Sequence, residues 1–99
     1  MIKYYDMYFD WDGGKAKSNE QKHGVTFLEA MTVFRDGDAI LIDDEIHSED
    51  EERFILLGMS KDANLLMVCH CYRGCDGIIR LISARNANKQ EAKMYGGMR

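Results

Sequence analysis

The sequence predicts an α+β fold with the element order β-α-α-β-β-β-β-α, in which a mostly antiparallel sheet carries the helices on one face. Three observations favour this class. Strand-like apolar runs follow one another through the second half of the chain. Turn-rich connections of hairpin length join the last three runs, which is typical of antiparallel neighbours. Helix signals stand towards the two ends of the chain, and helices separated in this way from a run of strands pack on one face of the sheet.

The first part of the chain is predicted to form one strand and two helices. Residues 4–9 are rich in aromatic side chains, which favours a strand. We expect the polar stretch that follows to be helical, with Asp12 as its N-cap and Gly24 as its C-terminal stop. Thr26 and Glu29 then have the spacing of a capping box. The apolar residues after this cap recur at helical intervals and predict a second, core-facing helix: Phe27, Ala30, Met31 and Phe34.

The second part of the chain is predicted to be mainly strand. Residues 39–42 form a short buried strand, and an acidic loop follows at residues 43–52. Asn88 and Glu91 repeat the capping-box spacing and open a final helix that stops at the two glycines 96–97. Between the loop and this helix, three strand-like runs cover residues 53–60, 65–72 and 77–84.

Length and composition restrict the class of protein. The 99 residues suffice for one domain, residues 1–99, with one modest core. No run of aliphatic, aromatic or methionine residues is longer than four, which excludes a membrane-spanning helix. The N-terminus carries no secretion signal, and three cysteines are an odd and small number for a disulfide scaffold. We therefore expect a cytoplasmic protein with reduced thiols.

Charge is distributed unevenly along the chain. The formal net charge is −4, but residues 35–53 hold two arginines against nine acids, and residues 54–99 hold seven basic residues against three acids. An acidic chain is not expected to bind nucleic acid through bulk charge, since that affinity comes from basic groups that displace counterions. The basic C-terminal half can still hold a local phosphate site. The acidic segment either binds a basic partner or is a solvated loop.

The hairpin lengths predict a polar cluster at one end of the sheet. If the two loops are four and five residues long, Arg53 lies opposite Tyr72, and His70 lies opposite Arg80. These four side chains then share one face, whose other members are apolar. Arginine binds phosphate through paired hydrogen bonds, and histidine or tyrosine transfers protons, so the cluster suits a phosphodiester substrate. The alternative is a core histidine with arginines at the sheet edge.

A metal-binding module is a competing interpretation. Cys69, Cys71 and Cys75 could ligate zinc together with His47 or His70. Their C-x-C-x₃-C spacing lacks the usual C-x₂₋₄-C pairs. Alternation along the strand also turns His70 away from both strand cysteines. We therefore expect no metal and no other cofactor.

Three blocks of the sequence resemble the BrnT toxin family, in the family's order and spacing. The opening block contains Phe9, Asp10, Trp11, Asp12, Lys15, Asn19, residues 22–27, Glu29 and Ala30. The middle block contains His47, Ser48, residues 51–54 and Gly58. The closing block contains residues 80–85, Ala87, Lys89, Glu91 and Tyr95. The resemblance therefore covers nearly the whole chain.

This resemblance implies a RelE-like fold and a ribonuclease toxin of a type II toxin–antitoxin pair, which cuts RNA and inhibits translation. The expected reaction is metal-independent: the ribose 2′-hydroxyl attacks the adjacent phosphorus and expels the 5′-oxygen. We expect Arg53, Arg80 and Arg85 to stabilise the phosphate. His70 is expected to transfer protons, because histidine titrates near neutral pH. Tyr95 is expected to stack on a base or donate a proton.

The residues expected to bind RNA are Lys22, His23 and Tyr72. For His23 the alternative is a purely structural role at the end of the first helix. The negative net charge of the protein remains compatible with RNA binding if the acidic residues bind a different partner.

That partner, on the same resemblance, is a BrnA-like antitoxin, a DNA-binding protein that neutralises the toxin. We expect a two-plus-two complex through the antitoxin dimer, contact with operator DNA only through the antitoxin, and a monomeric free toxin. Glu49, Glu51 and Glu52 are the residues expected to bind the antitoxin. The alternative function is a non-catalytic, antitoxin-binding regulatory module of the same fold, since the same arginines can be structural.

Overall fold

Six strands form one sheet in the computed structural model, which describes residues 1–47 and 51–97. The strands are β1 (Ile2–Tyr4), β2 (Met7–Asp10), β3 (Ile40–Asp43), β4 (Phe54–Met59), β5 (Leu65–Arg73) and β6 (Ile78–Asn86). Their order across the sheet is β1-β2-β6-β5-β4-β3. Among these described strands, β2 and β6 pair in parallel, and the other neighbours are antiparallel. The predicted α+β class and mostly antiparallel sheet are confirmed.

The helices begin at the predicted caps. They are α1 (Gly13–His23), α2 (Phe27–Thr32) and α3 (Lys89–Gly97). Asp12 and Thr26 each accept a hydrogen bond from the backbone N–H three residues on, at 2.9 and 3.1 Å. Asn88 and Glu91 accept reciprocally from each other's backbone N–H, at 2.8 and 2.9 Å. Gly24 ends α1 in the left-handed conformation, at φ 70°, so these local predictions are confirmed.

The aromatic run at residues 4–9 forms two strands rather than the one predicted. Tyr4 pairs with Met7 in a tight hairpin, and Tyr5 adopts a φ of 56° at the turn. This left-handed conformation is rare for a tyrosine, so the sequence carries no turn signal there. The ring of Tyr5 is fixed instead by long-range packing, with the guanidinium carbon of Arg35 3.9 Å from its centroid.

One side of the sheet packs against α1 and α2, and we call it the helix face. Its core consists of Phe9, Leu66, Val68, Ile79, Leu81 and Ala84 from the strands, with Val25, Phe27, Ala30, Met31 and Val33 from the helical segment. Phe27, Ala30 and Met31 are buried, which confirms the predicted stripe. After α2 the chain tightens into a 3₁₀ turn, Val33–Arg35, whose Phe34 packs against the same core.

Asn19 joins α1 to the edge of the sheet. In the described part of the chain, β2 pairs with β6 only at Ile79 and Arg80, so Ala84 lies further along, beyond that partner. The Asn19 side chain accepts from the Ala84 N–H at 2.9 Å and donates to the Ala84 carbonyl at 2.8 Å. It also donates to the carbonyl of Val25 at 3.0 Å. A single amide therefore makes the two bonds that a neighbouring strand would make.

The terminal helix α3 is anchored differently from α1 and α2. At its first turn Glu91 binds Arg85, which lies on the side of the sheet opposite the helix face. Near its end, the Tyr95 hydroxyl donates to Asp36 Oδ2 at 2.6 Å. The same oxygen accepts from the backbone N–H of Met59 at 2.8 Å. The helix therefore runs from β6 to the far end of β4.

The predicted register of the first hairpin is wrong by one residue. Leu65 pairs with Met59 rather than with Ser60. Ser60 leaves the strand because its hydroxyl accepts hydrogen bonds from the N–H groups of Asp62 and Asn64, both at 3.2 Å. The loop is therefore residues 60–64, one residue longer than expected.

The second hairpin is shifted as well. Arg73 remains in β5 and pairs with Ile78. A 3₁₀ turn, Gly74–Asp76, and Gly77 at φ 70° then reverse the chain in four residues, one fewer than expected. Further along β6, Ile82 is the extra residue of a bulge.

These shifts divide the predicted polar cluster between the two faces, because a slip of one residue reverses where side chains point. Arg53 and Arg80 now flank Cys71, and all three lie opposite the helix face. His70 and Tyr72 alternate onto the helix face. We call the opposite side the arginine face, defined by Arg53, Arg80 and Arg85.

Candidate active site

A row of side chains crosses the arginine face from β2 to β4. Asp10 of β2 pairs with Arg80 of β6 in parallel register, and Arg80 pairs with Cys71 of β5. Arg53 stands directly before β4 and continues the row on the far side of Cys71. Partners in a sheet point to the same face, so these four side chains are neighbours. Strand pairing thus collects two guanidinium groups, a carboxylate and a thiol.

A cleft of about 410 Å³ opens beside this row. Its lining comprises Asp44, Ile46, Arg53, Ile55, Met67, Cys69, Ile82, Ser83 and Arg85. The side chains of Arg53 and Arg85 are 31% and 43% exposed, so both reach solvent from their strands. The volume lies in the range of small-ligand sites, and two cations at an apolar surface favour an anionic ligand with a flat apolar part.

Asp10 holds two arginines at one end of the row. Its Oδ2 accepts a hydrogen bond from Arg73 and lies 3.3 Å from Nη1 of Arg80. Burial opposes ionisation of this carboxyl, but the hydrogen bond from Arg73 and the charges of both arginines outweigh it and lower its pKa. Asp10 is therefore a carboxylate that orients Arg80.

Arg85 is oriented by α3. Its two terminal nitrogens donate to the two carboxylate oxygens of Glu91, both at 2.8 Å. Donating these hydrogen bonds to Glu91 raises the pKa of Arg85, and accepting them lowers the pKa of Glu91. Glu91 also accepts a hydrogen bond from the Asn88 N–H as part of the capping box. One carboxylate therefore caps the N-terminus of α3 and positions the Arg85 guanidinium at the cleft.

The two strand cysteines are protonated thiols. Burial and the nearby carboxylate of Asp44, whose Oδ2 is 3.8 Å from the sulfur, raise the pKa of Cys69 to about 11. Burial and the negative charge of the nearby Glu51 raise the pKa of Cys71. A thiolate is the form that attacks substrates or ligates metals, so neither cysteine is arranged as a nucleophile or ligand.

The alternative metal site is not assembled among the described residues. Cys75 lies exposed in the turn of the second hairpin, and His70 is on the helix face. Within residues 1–47 and 51–97, no group of three or more histidine, cysteine, aspartate or glutamate side chains could hold a metal ion.

Comparison with known proteins identifies the family. A protein-family model described as "Ribonuclease toxin, BrnT, of type II toxin-antitoxin system" matches residues 11–91. The chain belongs to the BrnT family. The crystal structure of the Brucella abortus ribonuclease toxin BrnT superposes with a TM-score of 0.65 at 21% sequence identity, covering 84% of this chain and 99% of that one. No curated protein matches the chain, and none of the described helices is long and apolar enough to span a membrane.

In this BrnT family member, His70 does not meet the arginines as predicted. It is 0% exposed on the helix face, with the rings of Phe34, Phe54 and Tyr72 at centroid distances of 4.9, 6.1 and 5.5 Å. Burial lowers its pKa, against the opposing effect of its hydrogen bond to the Val68 carbonyl at 3.1 Å. A side chain enclosed in this way cannot contact RNA, so its predicted proton-transfer role is withdrawn.

The two tyrosines predicted at the site also lie away from the arginine face. Tyr72 is half exposed at the end of β5, on the side of His70. Tyr95 holds Asp36 near Met59, at the opposite end of β4 from Arg53. Neither is brought together with the phosphate-binding candidates.

The remaining predicted residues fall in three places. Lys22 and His23 line a second cleft, beside α1. Glu51 lies against the arginine face, with its carboxylate 3.9 Å from Nε of Arg53. Glu52 is exposed, and Glu49 lies outside the described residues.

Sequence reasoning missed Asp10, Arg73 and Glu91 as parts of the site. Asp10 and Glu91 belong to the blocks that resemble the BrnT family, which was the available signal. Their roles depend on the parallel pairing of β2 with β6 and on the docking of α3, and no local sequence pattern predicts either contact.

Proposed function

We propose that this ribonuclease toxin cleaves RNA by transesterification on the arginine face. The observation that carries the proposal is the convergence of Arg53, Arg80 and Arg85 on one side of the sheet, beside a cleft of about 410 Å³. Guanidinium groups remain charged at all working pH values and bind phosphate oxygens in pairs. Two guanidinium groups balance the two negative charges of a phosphodiester under attack, and the third can bind a neighbouring phosphate.

In the proposed reaction, the ribose 2′-oxygen forms a bond to the adjacent phosphorus, and the bond from phosphorus to the 5′-oxygen breaks. The products are a 2′,3′-cyclic phosphate and a 5′-hydroxyl. Arg53 and Arg80 stabilise the phosphoryl oxygens, and Arg85 binds the neighbouring phosphate. Arginines that are already oriented by carboxylates lose less conformational entropy when they bind the substrate.

Glu51 is the proton acceptor that we propose in place of His70. Its carboxylate lies 3.9 Å from Nε of Arg53 and close enough to Cys71 to raise the pKa of that thiol, so it borders the row of arginines. It takes the proton of the 2′-hydroxyl as the bond to phosphorus forms. The departing 5′-oxygen takes a proton from water in the open cleft, and the protonated Glu51 gives its proton to the hydroxide so formed, which restores both groups.

The testing experiment compares purified parent protein with Arg53→Ala, Arg80→Ala and Arg35→Ala on single-stranded RNA. Arg35 is an exposed arginine that stacks on Tyr5, so its variant controls for the loss of a cation. We expect cyclic-phosphate and 5′-hydroxyl ends from the parent and the control, and rates lower by about 10²–10³ for the other two. An inactive parent, or equal rates in all four chains, would contradict the proposal.

A non-catalytic regulatory module is the second candidate, and one observation favours it. Each arginine of the face already has a carboxylate beside it, supplied by Asp10, Glu91 and Glu51. Such pairs can be purely structural. Expression of the chain from a repressed promoter distinguishes the two functions, because a ribonuclease arrests growth with RNA breakdown and a binding module does neither.

We further propose that a BrnA-like antitoxin neutralises this protein in the cytoplasm, in a two-plus-two complex that contacts operator DNA only through the antitoxin. A cleft of about 210 Å³ at the start of β4 is lined by Asp43, Glu45, Glu52, Arg53 and Phe54. Three carboxylates there suit a basic segment of a partner.

The antitoxin contact is tested with Glu52→Lys, and with Glu20→Lys as a control at an exposed acid of α1. Glu52→Lys should weaken antitoxin binding by about tenfold, since like charges then face each other, and should leave RNA cleavage unchanged. Calorimetric titration with the antitoxin measures the affinity. Equal affinities for the two variants would remove the acidic cleft from the interface.

A further inference from the structure

Two clefts meet at the second half of β6, which forms an edge of the sheet. In the described residues β2 accompanies β6 only at Ile79 and Arg80, and the bulge at Ile82 follows directly. From there on, α1 runs alongside β6, fixed to it by the bonds of Asn19 to Ala84. The side chains of β6 after Arg80 therefore border the arginine face on one side and α1 on the other.

The cleft between α1 and β6 has a volume of about 470 Å³. Its helical side is formed by residues 15, 18, 19, 22 and 23, whose spacing of i, i+3, i+4, i+7 and i+8 defines one stripe of a helix. The two lysines of this stripe, Lys15 and Lys22, are exposed. The acid in the lining is Asp12, whose carboxylate accepts the capping bond from the Lys15 N–H. The charged side chains of the lining thus give the cleft a net positive charge.

Ile82 and Ser83 line both this α1 cleft and the cleft on the arginine face. The two spaces therefore adjoin at the edge of β6, and together they form a path from Arg53 and Arg85 to Lys15 and Lys22. The path bends around a sheet edge, which a flexible single strand can follow and a stiff duplex cannot.

We propose that this path is the binding track for single-stranded RNA: the strand leaves the arginine cleft over Ser83 and continues along α1, where Lys15 and Lys22 contact backbone phosphates. The inference rests on the proposed ribonuclease function, and it assigns to α1 a binding subsite outside the reacting phosphate. Contacts to phosphates position the strand without reading its sequence. The subsite consequently adds affinity and not base preference.

The test measures binding separately from cleavage. Fluorescence anisotropy is recorded with a labelled single-stranded 2′-fluoro RNA, which lacks the attacking hydroxyl, across a salt series. Each phosphate contact to a single strand contributes about 0.7 to the slope of log K against log salt. The double variant Lys15→Gln/Lys22→Gln should therefore lower the magnitude of the slope by about 1.4, and should raise KM for cleavage more than it lowers kcat.

Lys17→Gln is the matched control, because Lys17 lies on the other side of α1, in the cleft that α1 forms with Trp11 and Phe27. Its salt slope should equal that of the parent, and equal thermal unfolding midpoints show that all chains are folded. An unchanged slope in the double variant, with parent-like cleavage, overturns the α1 track and leaves the ribonuclease function standing. A parent that binds the RNA through both lysines but never cuts RNA overturns the ribonuclease function alone. A parent that does not bind the RNA overturns both.

Discussion

The two faces of the sheet are built from the same strands and have opposite properties. On the helix face, His70 is 0% exposed among aromatic rings. On the arginine face, Arg53 and Arg85 keep 31% and 43% of their side chains in contact with solvent. His70 and Cys71 are consecutive and both buried, yet His70 packs among aromatic rings on the helix face and Cys71 lies between Arg53 and Arg80 on the arginine face. The role of a polar residue in this protein is therefore decided by strand register more than by residue type.

If the comparison is right, substitutions on the helix face change stability, and substitutions on the arginine face change RNA binding. Asn19→Ala should show the largest stability effect, about 3 kcal/mol, because it leaves the N–H and carbonyl of Ala84 without partners. Urea denaturation followed by circular dichroism measures this loss. Ser18→Ala, at an exposed neighbouring position, is the control and should change the free energy of unfolding by less than about 0.5 kcal/mol. Similar losses of unfolding free energy in both variants would contradict the contrast between the two faces.

His70 predicts a pH dependence of stability that the arginines do not share. Burial lowers the pKa of His70 in the folded state. Below about pH 6.5 the unfolded chain therefore binds a proton at His70 that the folded chain does not bind. Stability should therefore fall as pH decreases from 6.5, by at most about 1.4 kcal/mol per pH unit from this group, and should be unaffected by it above that value. Denaturation between about pH 5.5 and 7.5 checks this, since the carboxyls titrate mainly below that range.

His70→Leu, a buried apolar replacement, should flatten the pH dependence, and His23→Gln on α1 should retain it. If His70→Leu and the parent lose stability equally as the pH falls, the buried imidazole is not the titrating group. RNA affinity at constant pH should be the same in His70→Leu as in the parent, provided that the variant is folded.

The smallest effect is expected at Asp10, on the arginine face. Its carboxylate orients Arg80 but also competes with RNA phosphate for Arg73 and Arg80. We expect the competition to outweigh the orientation, so Asp10→Asn should raise RNA affinity, by about fivefold at most for a partly exposed ion pair. Asp62→Asn in the first hairpin loop removes the same charge from an exposed turn and serves as the control. Anisotropy titration at fixed salt measures both. Weaker binding by Asp10→Asn would show that Asp10 orients Arg80 for RNA more than it shields it.

The parts of the fold that could be predicted from the sequence are those with local causes. Asp12, Thr26 and Asn88 each satisfy backbone N–H groups within three residues, so their capping roles can be read from spacing alone. The left-handed end of α1 at Gly24 is equally local. These signals located all three helices.

The candidate site depends on longer-range geometry, and its prediction was correspondingly incomplete. The hydroxyl of Ser60 draws that residue into the turn, which moves the pairing by one residue and exchanges the faces assigned to His70 and Cys71. Arg53 and Arg80 still share a face because both hairpins shift together. The pairing of Asp10 with Arg80 had no signal in hydrophobic pattern or turn type.

The parallel contact between β2 and β6 also has a consequence for how the newly made chain matures. Asp10 meets Arg80 across 70 positions, and Asn19 meets Ala84 across 65. Contacts of such sequence separation form late in folding, and synthesis delivers the N-terminal hairpin and α1 long before their partner strand. An incomplete chain on the ribosome therefore lacks an assembled arginine face.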